Sequence, residues 1–455
     1  MPSLGLSQEH QSQKCVCPPE VFMADQVAHI DATKPLVRAL MVFTLVLAVL
    51  ASWFVVRWYL GNTIAEYHNA DENGLETLER AVSWAPSDPL THWRLGAIAQ
   101  RQLPPDQIHQ VVHEYEKAAS LSPNDYRFWM ALGTALEQWG EIERGEKALR
   151  RATELAPSYA YPHWYLGNLL LRSGRYDQAF AELRRAGDAA PELRSQLLNL
   201  AWAIYNKNLD SFVKAVGDSA NARAELAAYL VGRQRFEDGI LLWQRLNEAE
   251  KQANRTNGEA IVGGLIAAKR FHQAAEVAND LVPTAAYRTG EGKFVDGGFE
   301  DDLVTQAGAV FGWQVKSLQQ AQMGIDPSRG HSGSRSLRIV FQVPSRLDSI
   351  SVSQLVPVRP DTQYDFECYV RSHDLQSAST PRIEIADATE GKLVSGSDQA
   401  PAGSTDWQLI PLSFRTGAKT EAVTVKIIRT SCPEDPVCPI FGTVWYDDFN
   451  LKPRS

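Results

Sequence analysis

The chain has no run of lysine or arginine: 45 basic side chains face 54 acidic ones over 455 residues, a net charge of −9. Sequence-independent nucleic-acid binding needs a concentrated basic face, so nucleic acid is not an expected partner. Catalytic signatures are also missing. There is no GxSxG, HExxH, P-loop or GxGxxG, and the GEGK at 290–293 lacks the upstream glycine and following Ser/Thr of a phosphate-cradling loop. Carboxylates are plentiful, but nothing in the sequence sets two of them across a cleft. The chain therefore reads as a non-enzyme. Cysteine is scarce, at five. Cys432 and Cys438 flank a short proline-containing loop and suit a disulfide in an oxidising compartment. Cys368 alternates in register with Tyr364, Phe366 and Val370 and reads as a core thiol. Cys15 and Cys17 have no second CxxC or histidine pair to complete a metal site. His109 and His113 share one helical face at i, i+4, again without a third ligand.

Long apolar runs are absent with one exception. Residues 39–56 (ALMVFTLVLAVLASWFVV) carry no charge, lie between Arg38 and Arg57, and are long enough to cross a bilayer. The run begins too deep in the chain for a secretory signal, and no small-residue cleavage site follows it. A transmembrane helix over 38–57 is expected, with Trp53, Trp58 and Tyr59 at its far interface. Lys14, Lys34 and Arg38 precede the span, whereas Glu66, Asp71, Glu72 and Glu76 follow it. This bias puts a disordered tail, residues 1–37, in the cytoplasm and the bulk of the chain in the periplasm or its equivalent.

The composition, 44% hydrophobic and 22% charged, is that of folded domains, and the length suffices for two or three. Between 126 and 191 one pattern occurs twice, about 34 residues apart. Leu132-Gly133 recurs as Leu166-Gly167, Gly140 as Gly174, Gly145 as Ala179, Leu149 as Leu183, Ala152 as Ala186 and Pro157 as Pro191. Small residues let two antiparallel helices approach, large ones fill the seam, and each proline stops a second helix. WYLGN at 58–62 reappears at 164–168, so the first repeat is expected to begin where the membrane helix ends. Weaker units extend to Pro283, giving six or seven helical hairpins over 58–283. The pattern resembles the tetratricopeptide repeat family, which implies an all-α superhelix whose first helices present a groove to a protein partner. Groove positions implied by that resemblance are Trp93, Ala97 and Arg101; Arg127, Met130, Thr134 and Glu137; and Tyr161, Trp164, Asn168 and Arg172.

Residues 284–292 have linker composition. From 293 to 455 the chain alternates with period two between Gly, Pro, Ser and Asp breaks, which predicts an all-β sandwich. Expected strands cover 336–342, 349–358, 363–371, 382–386, 407–414, 422–428 and 443–451. The phrases DGGFEDD, FGW, GHSGSRSLRI, DTQYDFECYVR, TDWQLIPLSF and VWYDDFNL resemble jelly-roll carbohydrate-binding modules of the family 4/9 kind. That resemblance implies a polysaccharide ligand, with Tyr369 as the stacking ring beside Glu367 and Arg371. It implies Trp313, Trp407 and Trp445 as framework, and a structural Ca2+ near Glu300 and Asp447 or Asp448.

The sequence thus predicts a multidomain protein: a single transmembrane helix, an all-α tetratricopeptide superhelix, then an all-β jelly-roll sandwich. The function expected is tethering of a protein partner and a glycan in exopolysaccharide or envelope assembly. The alternatives are a purely structural envelope protein or an accessory subunit of a carbohydrate-active enzyme.

Overall fold

The computed structural model describes residues 34–67, 74–282, 287–302, 310–316, 321–341, 351–430, 432 and 438–454. Most of the tail, with Cys15 and Cys17, lies outside the described residues. The chain forms two compact units, Met1–Leu155 and Ala156–Ser455.

Among the described residues, the first unit holds the α-helices α1 (Pro35–Tyr67), α2 (Gly74–Trp84), α3 (Pro89–Gln102), α4 (Ile108–Leu121), α5 (Tyr126–Trp139) and α6 (Ile142–Leu155). Helix α1 begins with a proline, which suits a first helical turn, and no glycine interrupts it before Gly61. Its 33 residues would extend about 50 Å. Leucine, valine and phenylalanine side chains along its apolar stretch are exposed, and only Gly61 and Ala65 are buried. The C-terminal end of this continuous helix is thus packed into the first unit.

Glycine has one recurrent task, to let paired helices touch. A Cβ added to Gly61 would lie 2.7 Å from Ala85 Cβ, one on Gly96 2.7 Å from the Tyr115 ring, and one on Gly133 2.6 Å from Leu149 Cγ. In the second unit the same holds for Gly167, where a Cβ would meet Leu183 Cγ at 2.7 Å and the Ala179 carbonyl at 3.1 Å.

A second recurrence joins each first helix to the turn before it. In α5, Trp129 Nε1 donates to the Pro123 carbonyl at 2.9 Å. The corresponding ring in α3 is His92, whose Nε2 lies 3.0 Å from the Pro86 carbonyl. In the second unit, His163 Nε2 stands 3.0 Å from the Pro157 carbonyl. An indole nitrogen only donates, and a carbonyl oxygen only accepts, so both histidines carry a proton on Nε2. Their Nδ1 atoms lie 2.6 Å from Glu114 and 2.6 Å from Glu182, carboxylates that also accept. Each ring thus bridges a proline carbonyl and a carboxylate in a buried pair. Burial of His92 opposes the charge, but Glu114 and the Pro86 carbonyl outweigh it and raise its pKa. For His163, the hydrogen bond to Glu182 is the leading cause of a raised value.

The second unit continues with α7 (Ala160–Arg172), α8 (Tyr176–Ala189), α9 (Arg194–Tyr205), α10 (Leu209–Val216) and α11 (Ala220–Gly232). After these come α12 (Phe236–Gln244), α13 (Glu248–Ala253), α14 (Arg255–Ala267) and α15 (Phe271–Leu281). Their core is built around Phe180, Phe212, Leu226, Leu230 and the fully buried Trp243. Trp243 Nε1 is satisfied by Asp280 at 3.0 Å.

Ten strands follow among the described residues: β1 (Gln314–Lys316), β2 (Ala321–Asp326), β3 (Ser336–Phe341), β4 (Ser351–Pro357) and β5 (Gln363–Gln376), then β6 (Arg382–Asp387), β7 (Leu393–Gly396), β8 (Gly403–Arg415), β9 (Ala422–Ile428) and β10 (Phe441–Pro453). They form two five-stranded sheets, ordered β1-β4-β9-β6-β7 and β2-β3-β10-β5-β8, with antiparallel pairing throughout. Alternate residues of both sheets enter one core, including Phe366, Cys368, Val370, Ile383, Val425 and Tyr446. Cys368 is fully buried, which pushes its thiol well above the ordinary range, as expected of a packing residue. Cys432 and Cys438 are joined, with their Cα atoms 5.4 Å apart. Strands β1, β2 and β7 were not among the expected ones. β1 and β7 are short edge strands, and β2 lacks a clean buried-exposed alternation.

The stretch before the sheets is tied on both sides. Thr289 exchanges two hydrogen bonds with Asn279 of α15, at 2.9 and 3.0 Å, and Gly292 N donates to the Pro357 carbonyl at 2.8 Å. Helix α15 also touches the sheets directly, through His272 Nε2 at 3.1 Å from the Val358 carbonyl. Lys269, just before α15, donates to the Ala388 carbonyl at 3.0 Å. The described part of the expected linker is thus bound structure.

Candidate functional site

On α7, residues four apart share a face. Trp164 and Asn168 with Arg172 line one depression, together with Tyr165 and with Gln196, Asn199 and Leu200 of α9. Trp164 is half-buried, packed against Ala160, Ala186 and Leu193, so one part of its ring is framework and another lines the depression. Asn168 Nδ2 donates to the Trp164 carbonyl at 2.8 Å, leaving its amide oxygen for another donor. Tyr161 and Tyr165 are 53% and 39% exposed. Exposed aromatic rings beside a guanidinium supply both apolar area and directional hydrogen bonds, the combination found at recognition hot spots.

The wall formed by α9 is stiffened from behind. Asn199 Oδ1 accepts from Tyr229 Oη at 2.9 Å and from Arg233 at 3.1 Å. The Arg233 guanidinium also lies over Trp202 at 5.6 Å and Tyr229 at 5.1 Å. Tyr165, Gln196 and Asn199 were missed by sequence reasoning. The available signal was the α9 pattern at Leu200, Ala201 and Ile204, onto which the groove positions of the earlier units extend.

The corresponding positions of the first unit are more occupied internally. Trp93 packs with its ring 6.3 Å from Phe128. Arg127 is paired with its own helix cap, Asp125, at 2.6 Å, and lies over Phe128. Met130 and Glu137 are half-buried and Arg101 is exposed. Ala97 and Thr134 are half-buried as well. His109 and His113 are exposed on α4 near Trp139.

In the β region, Glu367, Tyr369 and Arg371 share the outward face of β5. Arg371 pairs with Asp406 at 3.2 Å. Tyr369 is not open on both faces. His331, from the loop between β2 and β3, stacks on it with ring centroids 3.5 Å apart and planes 14° from parallel. The His331 ring also meets Trp407 edge-on at 5.8 Å. Trp407 therefore belongs to the outward aromatic set with Tyr369, while Trp313 and Trp445 are framework. Trp313 stacks on Phe299 at 4.8 Å and donates to the Asp296 carbonyl, and Trp445 donates to Asp326. Sequence spacing gave no sign that a residue 38 positions upstream of Tyr369 would cover it.

The same loop engages the acidic residues considered for calcium. Glu300, Asp447 and Asp448 converge around Gly298, where a Cβ would stand 3.7 Å from Asp448 Oδ1 and 3.8 Å from Asp447 Oδ1. Their oxygens are engaged by the loop: Asp447 by the His331 N–H at 2.6 Å, Asp448 by His331 Nδ1 at 2.6 Å, and Glu300 by the N–H groups of Ser334 and Arg335 at 3.0 and 3.1 Å. Burial, with the nearby Asp448 and Glu300 charges, pushes Asp447 up to about 6 against those donors. Among the described residues no three such side chains form a metal-holding group. As folded, the carboxylates of this cluster accept from N–H groups of the loop.

Helical hairpin repeats followed by two antiparallel sheets define the class of this chain. A tetratricopeptide repeat family model matches residues 126–159. Superkiller protein 3 of Saccharomyces cerevisiae is 22% identical over 121 residues, 27% of this chain and 8% of that protein. The chain thus spans under a tenth of the length of that curated relative. Among solved structures, Pseudomonas aeruginosa pilF is 20% identical with a TM-score of 0.30, covering 42% of this chain and 87% of its own. MamA is 17% identical with a TM-score of 0.29, covering 39% and 97%. A CBM4 structure is 14% identical with a TM-score of 0.27, covering 36% and 100%.

Proposed function

We propose that this protein is a membrane-anchored scaffold that holds a segment of a protein partner in the depression between α7 and α9. Tetratricopeptide repeats serve protein–protein contact, and the observation that carries the reading here is the outward set of Tyr161, Trp164, Tyr165 and Arg172 backed by the Asn199–Arg233 network. Nothing in this reading requires catalysis. The anchor is α1, with its N-terminus in the cytoplasm and the remainder in the periplasm or its equivalent; the joined Cys432 and Cys438 suit an oxidising compartment. Partner capture by the full-length protein, compared with Trp164→Ala and Arg172→Ala variants, tests it. Equal binding by the variants would count against the groove.

A second reading adds a glycan ligand on the outward face of β5 and β8. It is favoured by the grouping of Tyr369, Trp407, Arg371 and the exposed Leu409. Pyranose rings stack on such aromatics while charged groups take the hydroxyls. In this reading the protein tethers a polysaccharide near its membrane partner during exopolysaccharide or envelope assembly. Retardation of the full-length protein in gels containing soluble polysaccharides, the producer's own polymer included, is the test. Absence of retardation across such a panel would refute the glycan reading and leave the protein-binding one in place.

A further inference from the structure

The apolar run of α1 ends at Val56, and Arg57 is the first charge beyond it. Arg57 donates to the carbonyl of Ser83, next to Trp84 at the end of α2. One turn on, Gly61 closes against Ala81 and Ala85. The end of α2 is thus fixed at the level of residues 57–61 of α1. From the middle of the run, near Leu47, ten residues of helix reach Arg57, about 15 Å, half the thickness of a bilayer's hydrocarbon core. Trp84 therefore stands at the depth where α1 would leave the lipid.

Its surroundings suit that depth. Trp84 and Trp58 are 41% and 47% exposed although both are large and apolar, and they border one shallow recess with Phe54, Arg57 and Pro86. Amphipathic indoles prefer the lipid–water boundary, where the ring lies among glycerol groups and the N–H finds an acceptor. On the other helices of this unit, Trp93 and Trp129 are half-buried, with Trp129 Nε1 spent inside the fold. Trp139 of α5 is 43% exposed, so it is the place of Trp84 beside the end of the apolar run, and not exposure alone, that sets it apart.

We infer that the α2–α3 corner at Trp84 is a second membrane contact: it rests in the interfacial layer of the same bilayer that α1 crosses, with phospholipid headgroups as its partner. This inference rests on α1 being a transmembrane anchor. Its consequence is positional, because two contacts, one on each helix of the first hairpin, restrict how that hairpin tilts against the membrane.

The test uses the full-length chain with Cys15 and Cys17 replaced by serine; the remaining free thiol, Cys368, is buried, so an introduced surface cysteine carries the environment-sensitive fluorophore. The labelled positions are Val46→Cys in the span, Trp84→Cys or Ser87→Cys at the corner, and Glu154→Cys on α6. The last of these is an exposed side chain. Each protein is placed in nanodiscs of phosphatidylcholine and phosphatidylglycerol bearing a nitroxide either near the headgroup or at the acyl-chain end. Val46 should be quenched most by the deep nitroxide, and the corner labels by the shallow one, about twofold or more above the Glu154 background. Ser87→Cys leaves Trp84 intact and so reports the corner even if Trp84→Cys disturbs it. Quenching at Val46 with the Ser87 label at background would overturn the inference while sparing the anchor. Loss of quenching at Val46 would overturn the anchor, and the inference with it.

Discussion

The α7–α9 depression and the outward face of β5 offer similar chemistry, tyrosine and tryptophan beside arginine, yet differ in what covers them. On α7 the helical period alone decides which residues face out, and Tyr161 and Tyr165 remain exposed. On β5 the period also places Glu367, Tyr369 and Arg371 on one face, but a loop from between two other strands lays His331 over the central ring. A local period predicts which way a residue faces. Accessibility is decided by long-range packing, and only the helical region lets the two be read together.

The sharpest way to break the helical side of this comparison is to push its paired helices apart. Gly167→Val would force a branched side chain against Leu183 and the Ala179 carbonyl, and is expected to cost about 3 kcal/mol in urea denaturation. Leu409→Ala, on the exposed β face, should stay within about 0.5 kcal/mol by the same measurement. Next in size is recognition: Trp164→Ala is expected to weaken partner binding roughly tenfold, measured by calorimetry, with thermal stability reported alongside to separate binding from folding.

A smaller effect tests the covered face. If His331 competes with a sugar ring for Tyr369, His331→Ala should raise polysaccharide retention about threefold, and adding Tyr369→Ala should abolish it. Unchanged retention in His331→Ala would mean that the ligand uses another surface.

The smallest expected change concerns the two histidine clamps. Their folded pKa values are raised above 6.5, so their stabilisation is complete below that value and is lost as pH rises through the folded value. The loss should be modest, since the proline carbonyl keeps its hydrogen bond from the neutral ring. Glu182, lowered below 4.5 by His163 and Arg185 in spite of burial, contributes above that value and loses its contribution as pH falls through its folded value. Urea midpoints recorded from pH 6 to 9 should fall, and the His92→Gln, His163→Gln double variant should flatten the slope.

Much of this architecture was legible because its causes are local. Gly133 and Gly167 announced close helix pairs, Pro157 and Pro191 announced turns, and alternation around Cys368 announced a buried strand face. Residues 58–62 and 164–168 share a sequence, and the glycine of each is closely approached, Gly61 by Ala81 and Ala85 and Gly167 by Ala179 and Leu183. Other features could not be read. The coverage of Tyr369 depends on where the loop after β2 travels. Glu300, Asp447 and Asp448 were expected near one another on resemblance, and they are, but their engagement by loop N–H groups has no sequence signature. The attachment of α15 through His272 to the Val358 carbonyl was equally invisible, because linker composition describes a segment's own residues and not what its neighbours hold.

The central claim is that the α7 face receives a protein partner, and photo-crosslinking in the native membrane tests it most directly. With a photoreactive residue in place of Tyr165, the full-length protein should form one discrete adduct, absent when the probe replaces the exposed Arg185 of α8. Equal labelling at both positions, or an adduct at Arg185 alone, would contradict the account.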